Sequence, residues 1–266
     1  LVIWTTTPWT LPGNMGIAVG EQFTYAKVLV DDSKYIVALD LLDQLANEFG
    51  WHDYQVISQM KGTDLVGLKY KHVFMDRISP VVLGFHVSLD AGTGLVHTAP
   101  SYGVEDFIIG QEYNLGMVNG VDDQGVLNEE SGEFAGLFFE DANKVITQKL
   151  DELGVLLKLK FITHQYPHDW RTKKPIIFKA TSQWFCSIDK IRDGILNEIE
   201  NNVKWHPSWG KTRLYNMIKD RGDWCISRQR VWGVPIPIFY NEDGSPIIDY
   251  DVMMHVADLF REYGSN

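Results

Sequence analysis

Asp90-Ala91-Gly92-Thr93-Gly94-Leu95-Val96-His97-Thr98-Ala99-Pro100-Ser101-Tyr102-Gly103-Val104-Glu105-Asp106-Phe107 reads as a strand-to-helix corner. Gly92 and Gly94 permit a tight turn where a side chain would clash. Residues 95–98 form a short strand, which Pro100 stops by removing a backbone donor. Ser101 or Gly103 can cap the helix that follows, and Glu105 and Asp106 fall in its first turn, where the helix dipole favours carboxylates. One imidazole, several hydroxyls and two carboxylates are thus delivered to a single corner, a common place for a site. A capped helix beside a core histidine accounts for the same residues.

Upstream, residues 1–7 are a β-branched run that predicts an extended strand, with Thr5 and Thr7 on one face and Thr6 on the other. Pro8 and Pro12 bracket Trp9-Thr10-Leu11 and predict a rigid, non-helical segment. Strands are expected at 17–19, 25–30, 35–39, 54–57, 65–68, 81–83 and 87–89, with Asp31-Asp32 as a turn. Helical spacing marks 41–49, ending at Gly50, then 105–113 and 141–153, ending at Gly154. Residues 155–162 alternate apolar and basic side chains and read as a half-buried strand. Residues 188–199 and 214–218 read as helices. Short strands with glycine and aspartate turns point to an α+β fold built on a small barrel or sandwich.

The 266 residues suffice for one large domain or two modest ones. The net charge of −11 argues against a general nucleic-acid binder, but the charge is unevenly spread. Residues 1–157 hold 8 basic and 22 acidic side chains, whereas residues 158–230 hold 15 basic and 7 acidic. Lys158, Lys160, Arg171, Lys173, Lys174, Lys179, Lys211, Arg213, Lys219, Arg221, Arg228 and Arg230 could contact phosphates or simply form a solvated face. No apolar run reaches the roughly 18 residues of a membrane span. The two cysteines, Cys186 and Cys225, suit buried thiols in a reducing, cytoplasmic setting better than a disulfide framework. The start at Leu1, straight into an apolar strand, predicts a piece of a longer polypeptide.

Several chemistries lose ground on spacing. Gly92-Thr93-Gly94 offers half a dinucleotide fingerprint, but His97 occupies the third glycine position. Histidines and cysteines are scattered, and Pro167 interrupts the His164–His168 pair, so no metal site is expected. Ala99-Pro100-Ser101-Tyr102-Gly103 nearly matches the nucleophile elbow of serine hydrolases. Alanine replaces its first glycine, and proline before Ser101 restricts the sharp turn.

Trp4-Thr5-Thr6-Thr7-Pro8-Trp9-Thr10-Leu11-Pro12 and Gly92-Thr93-Gly94-Leu95-Val96-His97-Thr98-Ala99-Pro100 resemble the editing insertion (connective peptide 1) of isoleucyl-tRNA synthetases. Pro175-Ile176-Ile177-Phe178, Gln183-Trp184-Phe185 and residues 224–237 resemble the same family further on, so the likeness spans nearly the whole chain in order. The sister insertions of valyl and leucyl synthetases carry Arg after the paired threonines; Thr7 and Trp9 match the isoleucyl branch. The resemblance implies a β-barrel editing core over 1–157 with peripheral helices, a basic arm over 158–223, and a return segment over 224–266 toward a class I catalytic domain. Neither the His-Ile-Gly-His nor the Lys-Met-Ser-Lys-Ser type motif occurs here. ATP and magnesium would therefore serve the parent ligase, and the chain itself would need no cofactor.

The function implied is hydrolysis of valyl-tRNA(Ile). One methylene separates valine from isoleucine, and burying it supplies only about 1–3 kcal/mol of discrimination, a magnitude for which isoleucyl synthetases are themselves the standard example. The partner implied is the acceptor end of tRNA(Ile), taken by a monomer without membrane attachment. By matching motif positions, Asp106 would hold the substrate's α-ammonium group. Thr6 and Thr7 would hold the adenosine end and place the attacking water, with Thr5 on the same wall. His97 would be the steric gate against isoleucine, and Trp9 and Thr98 would line the pocket. Ser101-Tyr102-Gly103 departs from the family's Gly-His-Gly, and His168-Asp169-Trp170 stands where many relatives have cysteines. A second reading is a tRNA-docking module without turnover.

Overall fold

The computed structural model describes residues 1–163, 165–228 and 236–264. His164 and residues 229–235, which include Arg230 and half of the 224–237 motif, lie outside the described residues. The chain divides into two compact units, Leu1–Ala180 and Thr181–Asn266.

In the first unit a four-stranded sheet runs in the order β5 (Lys69–Lys71), β6 (Ile78–Leu83), β1 (Gly16–Val19), β7 (Leu95–Thr98). The pairing of β1 with β6 is parallel, and that of β1 with β7 is antiparallel, with Ile17 opposite His97. A three-stranded antiparallel sheet has β2 (Thr24–Val30) between β3 (Ser33–Ala38) and β4 (Tyr54–Lys61). Its tight β2–β3 turn falls at Asp31-Asp32, with Asp31 at φ 49°, a conformation aspartate tolerates better than most residues.

The α+β class holds. The strands do not close into a continuous barrel among the described residues; they form the two separate sheets. The main core lies between them, with Val19, Val28, Val37, Leu65 and Leu95 buried beside α1 (Leu42–Phe49). Tyr25 is buried there too, its hydroxyl donating to Gly94 O at 2.7 Å and accepting from Gly20 N at 2.8 Å. A second core gathers Trp9, Leu11, Val121, Leu127, Phe134, Ala142 and Ile146 under α4 (Phe139–Glu152). A smaller cluster of Ala18, Val82, Val87 and Ile109 seats α3 (Val104–Glu112).

Several expectations are corrected. Residues 1–7 form no strand; Trp4 makes an isolated parallel bridge to Val96, and Val2 N donates to Ile36 O at 3.1 Å. Pro8–Gly13, expected to be non-helical, is a 3-10 helix. Pro8 sits at its first position, where no backbone donor is needed, and Thr10 N bonds Thr7 O at 3.0 Å, so prolines exclude α-helix here but not the tighter turn. Residues 65–68 are not a strand: a one-turn α2 (Gly62–Leu65) ends there, and Leu65 becomes a core side chain. Residues 87–89 lack a ladder because Gly84–Val87 makes a turn. Residues 155–162 are likewise no strand: Leu157 packs on the main core and Lys160 pairs with Glu48 at 3.2 Å. The composition shift at residue 157 lies inside the first unit, since Lys179 also reaches Asp123 at 2.8 Å.

In the second unit α5 (Asp189–Asn201) packs on α6 (Trp209–Lys219). Two short pairs follow, β8 (Phe185–Cys186) with β9 (Trp224–Cys225) and β10 (Phe239–Tyr240) with β11 (Pro246–Ile247). Asp249 caps α7 (Tyr250–Tyr263), accepting from Asp251 N and Val252 N at 3.0 Å each. Cys186 is exposed, contrary to the expectation of two buried thiols, because its strand is an edge two residues long. Among the described residues no helix is long and apolar enough to cross a membrane.

Candidate active site

A cavity of about 310 Å³ opens in the first unit between the N-terminal threonines and the β7–α3 corner. Its lining includes Thr5, Thr6, Thr7 and Thr10, together with His86, His97, Tyr102, Glu105 and Asp106. This is at the lower end of the roughly 300–1,000 Å³ range of ligand pockets, room for a small ester and part of a sugar.

The threonines reach the cavity because the chain leaves β7 after Trp4 and turns. Thr7 precedes proline, which excludes the helical region for it, and it sits at φ −129°, ψ 71°. Thr7 N donates to Thr5 Oγ1 at 3.1 Å, which draws the Thr5 and Thr7 hydroxyls to 3.4 Å from each other. Thr7 Oγ1 is in turn 3.4 Å from Thr10 Oγ1. Thr6 is exposed at the rim.

His97 is held on both nitrogens. Asn14 donates from Nδ2 to His97 Nδ1 at 2.7 Å and to Gly16 O at 2.8 Å. A carbonyl can only accept, so Gly16 O fixes which way the amide points; Asn14 Oδ1 then accepts the Tyr70 hydroxyl. With Nδ1 accepting, His97 carries its proton on Nε2 and donates to Thr10 Oγ1 at 2.9 Å, and Thr10 donates onward to Thr7 O at 2.8 Å. Burial first, and the neighbouring His72 second, push His97 down to about 4. At neutral pH it is an uncharged, immobilised plate. His72 is held by the same logic, donating from Nε2 to Leu11 O at 2.9 Å and accepting Phe74 N and Met75 N at 3.0 Å each.

Asp106 stands in the first turn of α3, whose N-cap is Gly103, and no side chain caps the helix. Asp106 Oδ2 accepts Ala99 N at 2.9 Å, which ties the helix start to the end of β7. The other oxygen, Oδ1, is 3.8 Å from His86 Nε2. Burial raises the carboxyl above its ordinary value, while the Ala99 amide and His86 lower it and Glu105 raises it again.

Of the residues singled out in the sequence, the structure gathers Thr5, Thr6, Thr7, His97 and Asp106 around one cavity. Trp9 and Thr98 do not line it. Trp9 is buried in the second core, edge-on to Tyr102 at 4.8 Å and to Phe139 at 5.8 Å, with its amide donating to Asn143 Oδ1. Thr98 is fully buried and donates to Val96 O at 3.3 Å. Ser101 is 3% exposed, and among the described residues its hydroxyl has no hydrogen-bond partner, so nothing activates it as a nucleophile. Sequence reading missed Thr10, Asn14, His86 and Tyr102. Thr10 lies three residues after Thr7, the spacing that stacks side chains in a 3-10 turn, and was findable. Tyr102 packs on Trp9, and burial pushes its phenol up to about 12, so it is a neutral wall. No group of three or more His, Cys, Asp or Glu able to hold a metal occurs among the described residues.

The arrangement is therefore a pocket of neutral hydroxyls and the neutral His97 imidazole, shared with a second imidazole, His86, and the half-buried carboxylate of Asp106. Residues 21–266 match the family model of tRNA synthetases class I (I, L, M and V). The chain belongs to that family. The class I synthetases most similar to it include isoleucine–tRNA ligases of Bacillus cereus (strain AH820) and Bacillus anthracis (strain CDC 684 / NRRL 3495), each 58% identical over 265 residues. The chain is covered completely in both alignments, including the threonine arm that precedes the family match, and it spans 29% of the length of these relatives. A solved synthetase structure, "The crystal structure of GlLeuRS-CP1", overlaps with a TM-score of 0.48 and 16% identity, over 62% of this chain and 83% of that one.

Proposed function

We propose that the cavity hydrolyses the ester of valyl-tRNA(Ile), within a protein that, like its relatives, ligates isoleucine to tRNA. The observation that carries the reading is that one small cavity is lined by Asp106, by the Thr5–Thr7–Thr10 hydroxyl chain and by His97. Asp106 binds the α-ammonium group of the misplaced amino acid, which is why its one unbonded oxygen matters. The threonine hydroxyls hold the terminal adenosine sugar and place a water against the ester carbonyl. None of these hydroxyls is a strong base, so the rate comes from placement and from polarising the carbonyl. His97, uncharged near neutral pH, adds no repulsion to the ammonium and acts through its bulk, rejecting the extra methylene of isoleucine.

Incubation of the protein with valyl-tRNA(Ile) and isoleucyl-tRNA(Ile) tests this. Loss of the valyl ester with the isoleucyl ester intact is expected. Binding of both without ester loss would replace the hydrolase with the docking module. Covalent capture of Ser101 by a fluorophosphonate, together with loss of activity, would replace it with a serine hydrolase.

A further inference from the structure

Every polar atom of His97 and His72 is hydrogen-bonded, but His86 is different. It lies within the Gly84–Val87 turn, lines the cavity, and keeps its side chain 18% exposed while both ring nitrogens are shielded from solvent. Among the described residues neither Nδ1 nor Nε2 has a hydrogen-bond partner. A buried polar atom left unpaired costs about 1–3 kcal/mol, so two on one ring at a cavity wall call for a function. The ring is set edge-on to Phe85 at 5.7 Å, and Gly84 leaves it room, since a Cβ there would lie 3.2 Å from His86 Cε1. Its Nε2 lies 3.8 Å from Asp106 Oδ1, beyond hydrogen-bond reach of the carboxylate.

A gap of that size suits a third atom. A nitrogen about 2.9 Å from both acceptors can bridge two atoms so spaced from the side, subtending roughly 80° and donating one hydrogen to each. We propose that His86 is a second binding residue for the primary ammonium group of the substrate, its Nε2 accepting one N–H while Asp106 Oδ1 accepts another. The inference rests on the hydrolase reading above and deepens it by assigning recognition of the amine to two residues. It requires His86 to be neutral with its proton on Nδ1. A protonated His86 would instead pair with Asp106 and compete with the ligand. Glu105, exposed beside Asp106, is the other charged group on this wall. The arrangement distinguishes a free amine from an acylated one, because an N-acyl nitrogen has a single N–H and no charge.

The experiment compares valyl-tRNA(Ile) with N-acetylvalyl-tRNA(Ile) in deacylation by wild type, His86→Phe and His86→Gln. Wild type is expected to prefer the free amine. His86→Phe should lose about tenfold of that preference through KM, with the N-acetyl substrate unchanged. His86→Gln, which keeps an acceptor, should restore most of it. Full preference retained in His86→Phe, or preference increased, overturns the inference while leaving the hydrolase reading intact. If wild type cleaves neither ester, the hydrolase reading fails. Calorimetry with the non-hydrolysable amide 3′-valylamino-3′-deoxyadenosine then decides this inference alone: about tenfold weaker binding to His86→Phe supports it, and equal binding overturns it. Should His86→Phe fail to fold, the ¹⁵N signal of His86 Nε2 in wild type must move on adding that amide, and a static signal overturns the proposal.

Discussion

The two walls of the cavity are built on opposite rules. Around His97 the polar groups are committed to one another: Tyr70 to Asn14, Asn14 to His97, His97 to Thr10, Thr10 to Thr7. On the Asp106 wall one carboxylate oxygen and two imidazole nitrogens are left over. The satisfied His97 ring has nothing left to offer a ligand except shape, so it selects by exclusion. An unsatisfied wall is under-bonded until something arrives, so it selects by attraction. The division matches what the proposed reaction needs, since valine and isoleucine share the amine and differ only in bulk.

The hardest blow to the attractive wall is Asp106→Ala. Removing a charge-assisted contact of about 2–3 kcal/mol should lower kcat/KM for valyl-tRNA hydrolysis on the order of 100-fold. Glu105→Ala, one residue away but exposed, should stay within about twofold and serves as the control. Equal effects from the two would mean that Asp106 merely joins helix to strand.

The committed wall should announce itself in the pH dependence of stability. His97 is held down at about 4, below its ordinary 6.5, so between those values the unfolded chain binds more protons than the folded one. Stability is therefore full above pH 6.5 and falls as pH drops toward 4, by up to roughly 3 kcal/mol from this group. His72, also lowered by burial, adds in the same direction. Asp106, raised by burial, opposes the trend, because its folded form holds a proton longer as pH rises. Denaturant midpoints measured from pH 4 to 7 should rise more steeply in wild type than in His97→Gln. Parallel curves would show that His97 is not the buried neutral ring described.

Exclusion itself is tested by His97→Ala. Opening the gate should raise isoleucyl-tRNA hydrolysis relative to valyl-tRNA by about tenfold, the scale of one methylene. An intact isoleucyl ester in that variant would leave the satisfied wall without a role.

The same contrast explains how much could be read from sequence. Strong periodicity marked helices at 41–49 and 141–153, observed at Leu42–Phe49 and Phe139–Glu152, and the β2–β3 pair, because helix spacing and a two-residue turn are local signals. Thr5, Thr6, Thr7, His97 and Asp106 were legible through the motifs that hold them. Asn14 and His86 were not, because each acquires meaning only from a partner far along the chain: Asn14 from His97 and Tyr70, His86 from Asp106. Barrel closure was not legible in the same way. Strand count follows from pattern, but whether two sheets join depends on edges such as residues 87–89, where a turn at Gly84 takes the chain out of the ladder.

The smallest effect belongs to a polar atom that is unpaired yet plays no part. Ser101 resembles His86 in having an orphaned, buried polar atom, but it lies behind the wall rather than on it. If lack of a partner alone marked function, Ser101→Ala would be as damaging as a change at His86. Position predicts the reverse. The variant removes a hydroxyl that nothing satisfies, in a site whose volume barely changes, so stability should hold or rise by a fraction of about 1 kcal/mol. Deacylation should stay within about twofold of wild type, and a fluorophosphonate should leave Ser101 unlabelled. Loss of activity in Ser101→Ala would dissolve the distinction between the walls and return the nucleophile elbow to contention.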